Sequence, residues 1–433
     1  MMRDGRCLRS FAKYASLNVL GMLGLSCYIL ADTFFISQGM GTAGLAALNL
    51  AIPIYSLIHG SGLMAGIGGS IRFSLAPGRA EKDRAFTCAA LAAGLLAAAF
   101  FTLGLTAAAP LAKLVGADEA VFAMTETYLR VILLFAPLFL LNNLLLAFVR
   151  NDGAPQRAMA AMLGGSFANI LLDWLFIFPM GMGIFGAVLA TGFAPAVSMA
   201  ILAPFFIRRQ NHFTFCRCKL SGKLLGQVLA AGLPSLIAEL SSGIVMAVFN
   251  SVILGIAGNL GVASYGIAAN IALVTVSLYG GIAQGAQPLL SRFCGEGDKG
   301  AARAILHGSL LTALLLAAAL YAGIFFLAEP LAAVFNSGKD PALQQLAVRG
   351  LKLYFLSSCF AAFNINAAAG LAAAGKTFPA HLISLLRGFV LILPAAAILP
   401  LFWGMDGVWL ALPAAEGLSF LVSLWSTKKY DAF

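Results

Sequence analysis

The sequence predicts an all-α polytopic membrane protein whose twelve transmembrane helices form two pseudo-symmetric six-helix bundles around a central cleft. Three observations lead to this prediction: the apolar composition, the placement of the basic residues, and an internal repeat. Of the 433 residues, 61% are hydrophobic and only 10% are charged. A soluble chain is about half apolar and about a quarter charged. This chain therefore lacks the charges for a surface in water, and most of its surface must face lipid.

Twelve apolar runs are long enough to cross a bilayer, which takes roughly 20 residues at about 1.5 Å per residue. The first run follows basic residues but has no small-residue cleavage pattern, so we expect it to stay in the membrane as a helix. The predicted helices are 14–37, 46–72, 85–109, 128–149, 157–179, 184–207, 224–256, 263–291, 303–328, 346–373, 378–402 and 407–427.

The basic residues lie mainly at the termini and in every second loop. About 22 of the 27 Lys and Arg residues are there, as the positive-inside rule predicts for cytoplasmic segments. Both termini are therefore expected on the cytoplasmic side of the cell inner (plasma) membrane. The net charge of +10 is spread over these loops, so we expect no nucleic acid partner. The alternate loops hold only Lys113, Arg130, Lys339, Arg349 and Lys352.

The two halves of the chain repeat each other. Pro110 matches Pro330 and Gly153 matches Gly375, and the offset stays between 218 and 222 along the chain, as one duplication predicts. Six helices per half is an even number, so both halves enter the membrane from the same side, as in the parallel repeats of secondary transporters. We predict an N-terminal lobe at residues 1–207, a cytoplasmic linker at 208–223 and a C-terminal lobe at 224–433.

Two glycine motifs match nucleotide-binding patterns without their structural context. Residues 370–377 fit the P-loop pattern, but an apolar helix precedes them, whereas a P-loop needs a strand before it and a helix after it. Residues 181–186 fit G-x-G-x-x-G within a predicted short external turn. We therefore expect no nucleotide, no cofactor and no enzymatic activity.

Four acidic residues lie well inside predicted helices. A carboxylate at the centre of a bilayer costs at least about 2.5 kcal/mol, and such a residue indicates a functional site by default. Asp32 has Asn250 at its repeat position, and Asp173 falls near Ala395, so the acidic pair occurs in one lobe only. The four residues are Asp32, Asp173, Glu239 and Glu416.

The N-terminal lobe combines two of these carboxyls with an amide and a hydroxyl. Asn169 and Asp173 are four residues apart and share a helix face, and Asp32 and Thr191 are predicted at a similar depth. Such oxygens suit a hard cation, or they hold a proton because two neighbouring buried carboxyls resist ionising together. A purely structural role in joining helices is the alternative.

The second half supplies candidates for a substrate pathway. Glu239 follows Pro234 in the seventh predicted helix, where we expect it to face the cleft from the C-terminal lobe. Asn250 is the repeat counterpart of Asp32, and Gln284 and Gln287 add polarity to the eighth helix, although a helix-packing role stays open for the two glutamines. Glu416 is expected near the external side, paired with Arg349 or Lys352.

Several segments resemble the multidrug and toxic compound extrusion (MATE) transporters. Asp32–Ser37 resembles the end of their first helix, and Asn169–Phe178 resembles their fifth helix. Gly232–Met246 and Tyr265–Asn270 are similar to the MepA-like branch of the bacterial members.

The resemblance implies an exporter of amphipathic, often cationic compounds that is driven by inward flow of Na⁺ or H⁺. Members that couple through acids in the seventh and tenth helices would use Glu239, but the tenth helix here offers only Asn364 and Asn366. The family's N-lobe cation site falls on Asp32, Asn169, Asp173 and Thr191.

We therefore expect a secondary antiporter that works as a monomer in the lipid bilayer and exports small organic compounds by alternating access. A flippase for a lipid-linked precursor, from the same wider superfamily, is the alternative. It would need a larger basic cavity, and few basic residues lie within the predicted helices. A channel would not need acidic residues in one lobe only. An intramembrane protease would need its aspartates or a zinc motif in catalytic spacing, and the sequence has no His-Glu-x-x-His.

Overall fold

The structure is a computed structural model that describes residues 2–217, 221–336 and 340–430. In these ranges all regular secondary structure is helical. Phe355–Ser357 forms a 3₁₀ turn and Leu386–Val390 a π-helical turn. The α-helices are α1 Met2–Leu75, α2 Arg79–Thr106, α3 Ala108–Leu114, α4 Phe122–Leu134, α5 Ala136–Asn151, α6 Pro155–Ile177, α7 Gly183–Ile207, α8 Gly222–Gly295, α9 Lys299–Phe326, α10 Ala328–Phe335, α11 Pro341–Tyr354, α12 Ser358–Ala373, α13 Thr377–Leu385, α14 Ile392–Trp403 and α15 Met405–Tyr430.

The described helices account for twelve membrane crossings. Nine continuous helical stretches in the described ranges are long and apolar enough to span a membrane. Two of them, α1 and α8, have 74 residues each and contain a break, so each supplies two crossings. Helices α4 and α5 meet at a 47° bend and together supply one more. The count agrees with the twelve helices that the sequence predicts.

Glycines make the breaks in α1 and α8. Gly41 has φ +61° and ψ −149°, and Gly258 has φ +59° and ψ −154°, a backbone region that is essentially restricted to glycine. A Cβ at either position would meet nothing within 4 Å. The backbone conformation, and not crowding, therefore requires glycine at both repeat-related positions.

The chain forms two compact units that differ from the predicted lobes at two helix segments. The first unit comprises Leu20–Leu240 and Cys294–Gly297, and the second comprises the chain up to Val19, Ser241–Phe293 and Asp298 onward. The start of α1 therefore groups with the second half of the sequence, and the start of α8 groups with the first. The lobe boundaries at 1–207 and 224–433 stay a prediction, and residues 218–220 of the predicted linker lie outside the described residues.

The starts of α1 and α8, which each group with the other half of the sequence, pack closely against the backbone of the unit they join. In the second unit, a Cβ added to Gly285 would lie 2.6 Å from Cα of Ala15. In the first unit, a Cβ on Gly232 would overlap the backbone carbonyl of Met64. Only glycine allows such approaches between helices, as at close crossings in other membrane proteins.

Residues 211–217 of the predicted linker form an extended strap along the first unit. Alternate residues of an extended chain face the same way, and three alternate backbone N–H groups of the strap donate to side chains of the first unit. His212 donates to Asp152 Oδ2 at 2.8 Å, Thr214 to Asp83 Oδ1 at 2.7 Å and Cys216 to Thr87 Oγ1 at 3.0 Å.

Phe213 points from the strap into the first unit. Its side chain is only 1% exposed, and its ring centroid lies 4.6 Å from that of Phe86 and 5.4 Å from that of Phe148. Phe215, two residues later, is 71% exposed. The strap is therefore a packed part of the first unit and not a free tether.

We predict that Gly41→Ala or Gly258→Ala lowers stability by about 1–3 kcal/mol, since alanine is strained in this backbone region. The measurement is the thermal unfolding midpoint of the purified protein in detergent. Gly255→Ala is the matched control, because Gly255 also has open space around a Cβ but has no positive φ. Equal midpoints for all three variants would contradict the role given to the backbone.

We predict that Phe213→Ala lowers stability by about 3–5 kcal/mol, the usual cost of removing a buried aromatic ring. The same change at the exposed Phe215 should cost far less. The unfolding midpoints of the two variants measure the loss of stability, and limited proteolysis tests whether the strap detaches. Equal protease resistance of the two variants would show that Phe213 does not hold the strap.

Candidate ion-coupling site

The four residues of the predicted cation site lie in the first unit and are all buried. Asp32 is on α1 and Thr191 on α7, while Asn169 and Asp173 lie one turn apart on α6. Asp32 is 7% exposed and Asp173 is fully buried. The structure therefore brings the two carboxyls, the amide and the hydroxyl into one helical unit.

Asn169 links the neighbouring polar groups. With its amide nitrogen facing Asp173, that nitrogen donates to Asp173 Oδ2 at 3.0 Å, and its carbonyl oxygen accepts from the backbone N–H of Thr191 at 3.2 Å. This amide orientation satisfies both ends of the side chain. The hydroxyl of Thr191 donates to the Ala187 carbonyl at 3.1 Å. The amide therefore orients Asp173 relative to α7.

One oxygen of each carboxyl has no partner. Oδ1 of Asp32 and Oδ1 of Asp173 are buried and accept no hydrogen bond from the described residues. The two carboxyls also lie close enough to interact electrostatically. Buried acceptors of this kind are costly when unsatisfied, and more so when charged. A proton or a small cation would satisfy them, so the residues present fit either ion.

Three tyrosines extend the site, and the sequence analysis missed them. Tyr28 and Tyr128 are buried, and each interacts electrostatically with Asp32 and Asp173. The hydroxyls of Tyr28 and Tyr55 are 3.1 Å apart. Tyr28 precedes Asp32 by four residues and so lies on the same helix face, a signal that was available. Nothing in the sequence connects Tyr128 to the site.

The polar network continues along the second part of α1. The ring of Tyr55 stacks on that of His59, with centroids 5.8 Å apart. The Asn143 amide nitrogen lies 3.3 Å from His59 Nδ1 and donates to the His59 carbonyl at 3.3 Å. A series of polar and aromatic contacts therefore leads from Tyr28, one turn before Asp32 on α1, to Asn143 on α5.

Glu239 belongs to the first unit, whereas the sequence analysis placed it in the C-terminal lobe. Its Cβ lies 3.0 Å from the position of a Cβ on Gly60, and the side chain is half-buried. It interacts electrostatically with Tyr28 and Tyr55. Glu239 differs from the prediction because the start of α8 groups with the first unit and packs against α1 there.

The other three pathway candidates lie in the second unit. Asn250 and Gln284 are half-buried. Gln287 is buried, and its amide nitrogen donates to the Ser291 hydroxyl at 3.3 Å, which is a contact within one helix. The part of these residues in a substrate pathway stays a prediction.

Glu416 makes a different ion pair from the expected one. Arg387 donates to Glu416 Oε1 from Nη2 at 2.7 Å and from Nε at 3.1 Å. Asn364 donates to Glu416 Oε2 at 2.7 Å. Arg349, the expected partner, instead donates from Nε to Asp406 at 2.6 Å. The pairing of Glu416 with Arg349 or Lys352 is therefore wrong.

Arg387 lies inside the predicted helix 378–402, but it was counted with the basic residues of the cytoplasmic loops and was therefore missed as a partner of Glu416. It lies in the π-helical turn Leu386–Val390, between α13 and α14, inside the apolar stretch Thr377–Trp403. The guanidinium and the carboxyl are 17% and 3% exposed. The second unit thus has a buried carboxylate with a fixed cation beside it, and π-helical turns often accompany functional sites.

The P-loop-like motif at residues 370–377 has the helical context that the sequence predicts. Its first residues end α12 at Ala373, Gly375 forms a turn with φ +77°, and Thr377 begins α13. Within the described ranges there is also no group of three or more His, Cys, Asp and Glu side chains that could hold a metal ion.

Comparisons with known proteins agree on a family. The sequence profile described as MatE matches residues 19–175 and 234–398, once in each half of the chain. The multidrug export protein MepA of Staphylococcus saprophyticus is 25% identical over 411 residues, which cover 94% of this chain and 90% of that protein. MepA of Staphylococcus aureus is 24% identical over the same coverage.

Solved structures show the same fold. One is an outward-facing multidrug resistance MATE family transporter of the MOP superfamily, with a TM-score of 0.89 and 24% identity, covering 98% of this chain and 96% of that one. Another is a mutant of the Vibrio cholerae MATE transporter VcmN, with a TM-score of 0.88 and 21% identity, covering 99% and 98%. The twelve-helix fold predicted from the sequence is confirmed.

We predict that Arg387→Met lowers stability by about 3–5 kcal/mol, because it leaves the buried Glu416 carboxylate without its cation. The double variant with Glu416→Gln should recover most of the loss, since it removes both charges. Arg349→Met is the matched control, because its pair with Asp406 is exposed and should contribute far less to stability. Chemical unfolding of the four proteins gives the comparison, and a double variant no more stable than Arg387→Met would contradict it.

Proposed function

The chain belongs to the MatE family of membrane transporters, and we propose that it is a secondary antiporter that exports amphipathic, cationic organic compounds in exchange for Na⁺ or H⁺. Family membership makes it a transporter and not an enzyme. The observation that carries the proposal is the buried pair Asp32 and Asp173, each with one oxygen that has no partner among the described residues.

The chemistry of the site supports an ion as the missing partner. Its groups are two carboxyls, an amide, a threonine hydroxyl and the nearby phenol of Tyr128. These are all hard oxygen or weakly acidic groups, which suit Na⁺ through oxygen coordination or H⁺ through sharing between the carboxyls. A site of this kind in the hydrocarbon region points to transport, because isolated carboxylates are costly there.

Coupling follows when the ion binds one conformation more tightly than the other. An ion shifts a two-state equilibrium only through such a difference in affinity. Asp32 is on α1, whereas Asp173 and Thr191 are on α6 and α7, so an ion held between them ties α1 to the pair. We propose that its arrival or departure moves α1 and thereby switches access between the two sides.

Glu239 and the tyrosines beside it are the proposed contact for an organic cation. The half-buried Glu239 supplies negative charge, and the phenols of Tyr28 and Tyr55 interact electrostatically with it. Aromatic faces attract organic cations within about 6 Å of the ring centre. Because Tyr28 also lies beside Asp32, a bound cation and the coupling ion would repel each other through this short path, which is what exchange requires.

The curated relatives support the class of substrate. Both MepA proteins are named as multidrug export proteins, and we propose the same activity here, as a monomer in the plasma membrane with both termini cytoplasmic. The paired state of Arg387 argues against the flippase alternative, because the guanidinium is already neutralised by Glu416 and offers no free charge to an anionic lipid precursor.

We predict that Asp32→Asn and Asp173→Asn each reduce ion-driven export by at least about tenfold, within the usual range of coupling energies. The measurement is drug efflux from proteoliposomes under a Na⁺ gradient alone and then under a H⁺ gradient alone. Glu119→Gln, at an exposed position between α3 and α4, is the control and should behave as wild type.

The same experiment separates the parts of the proposal. Wild-type efflux under one gradient only would identify the coupling ion. If Asp32→Asn transports at the wild-type rate under that gradient, the coupling site is wrong. If no gradient drives export of any organic cation by the wild type, antiport itself is wrong.

A further inference from the structure

A cavity of about 850 Å³ opens at the end of the first unit where the basic loops lie. Its walls come from three places: the last turn of α1, the first turns of α2, and the strap with the start of α8. Arg72, Arg84 and Arg217 line it, one from each wall. None of these residues belongs to the ion-coupling site, and the transport mechanism leaves the cavity unexplained.

Arg72 has a donor without an acceptor. Its Nε is buried and forms no hydrogen bond with the described residues. An arginine fork binds carboxylate or phosphate through parallel N–H groups that include Nε. A buried, unsatisfied donor is costly, so a ligand with anionic oxygens would complete this wall of the cavity.

The start of α2 adds further donors. Ala80 and Glu81, in the first turn of this 28-residue helix, line the same cavity. The residue before the helix is Gly78, and it makes no side-chain cap. The first N–H groups of a helix carry partial positive charge and favour anions such as phosphate.

Two carboxylates, Asp83 and Glu81, also line the cavity, and Asp83 already accepts a hydrogen bond from the strap. Asp83 accepts a hydrogen bond from the Thr214 backbone N–H at 2.7 Å, which fixes the strap that carries Arg217. Glu81 is exposed at the first turn of α2, where its charge partly offsets the arginines. The remaining walls are largely apolar and include Leu75, Pro77 and Leu224.

We propose that this cavity binds the phosphate headgroup of an anionic phospholipid. The arginines and the helix start recognise the phosphate, and the apolar walls accept the glycerol and the first part of the acyl chains. The cavity lies at the ends of membrane helices, on the face with the positive loops, where basic clusters attract anionic lipids. Binding would hold the strap, and so the linker between the halves of the chain, against the first unit.

The test is native mass spectrometry and thermal unfolding of the full chain in detergent, with phosphatidylglycerol, phosphatidylcholine or inorganic phosphate added. The variant carries Arg72→Gln, Arg84→Gln and Arg217→Gln. The control carries Arg9→Gln, Arg208→Gln and Lys428→Gln, which remove the same charge from exposed positions outside the cavity.

We expect phosphatidylglycerol to remain bound to wild type and control and to raise their unfolding midpoint, with phosphatidylcholine much weaker. Each arginine should contribute about fivefold in affinity, so the cavity variant should bind roughly a hundredfold more weakly. The unfolding midpoint of the triple cavity variant without lipid shows whether this variant still folds. If it does not fold, Arg72→Gln alone replaces it in the experiment.

Two results would overturn the proposal. Equal lipid retention by the cavity and control variants would show that general surface charge, and not this cavity, holds the lipid. If inorganic phosphate alone raised the unfolding midpoint as much as phosphatidylglycerol does, the cavity would be a site for soluble phosphate and not for a lipid.

Discussion

The cost of a carboxylate in the membrane shapes both halves of this protein. In the second unit, Glu416 meets that cost with a fixed cation, because Arg387 and Asn364 bind both of its oxygens. In the first unit, Asn169 donates to Asp173, and the phenols of Tyr28 and Tyr128 interact with both carboxyls, but Asp32 and Asp173 each keep one buried oxygen without a partner among the described residues. The second unit therefore has its counter-charge in the chain, as Arg387. We propose that the first unit takes its counter-charge from solution, as Na⁺ or H⁺.

The repeat explains why such a difference can arise in otherwise similar halves. Gly41 and Gly258 break their long helices in the same conformation, so the duplicated backbone survives in detail. Side chains inside the two bundles are free to differ, provided that each buried charge finds a partner. A duplicated scaffold can thus stabilise a permanent ion pair in one half and leave a site for a removable ion in the other.

The sequence predicts the helices well, because apolar length and loop charge are set by the membrane and not by tertiary packing. It also singles out Asp32, Asn169, Asp173 and Thr191, because polar residues stand out in apolar runs, and the structure buries all four in one unit. It fails for Arg387, which was counted with the basic loop residues although it lies inside the predicted helix 378–402, because its pairing with Glu416 depends on how the helices pack. It also fails for Tyr128 and for the position of Glu239, because both depend on which helices pack together, and one sequence does not reveal that.

The central claim is that an ion bound in the first unit completes the buried carboxyl pair. The most direct test is ion binding by the purified protein, measured as ²²Na⁺ retention and as proton release on addition of an organic cation. The account predicts that wild type binds Na⁺ or a proton and loses it when the organic cation binds, that Asp173→Asn does neither, and that Glu119→Gln, at an exposed position, behaves as wild type. Unchanged ion binding and release in Asp173→Asn would contradict the account.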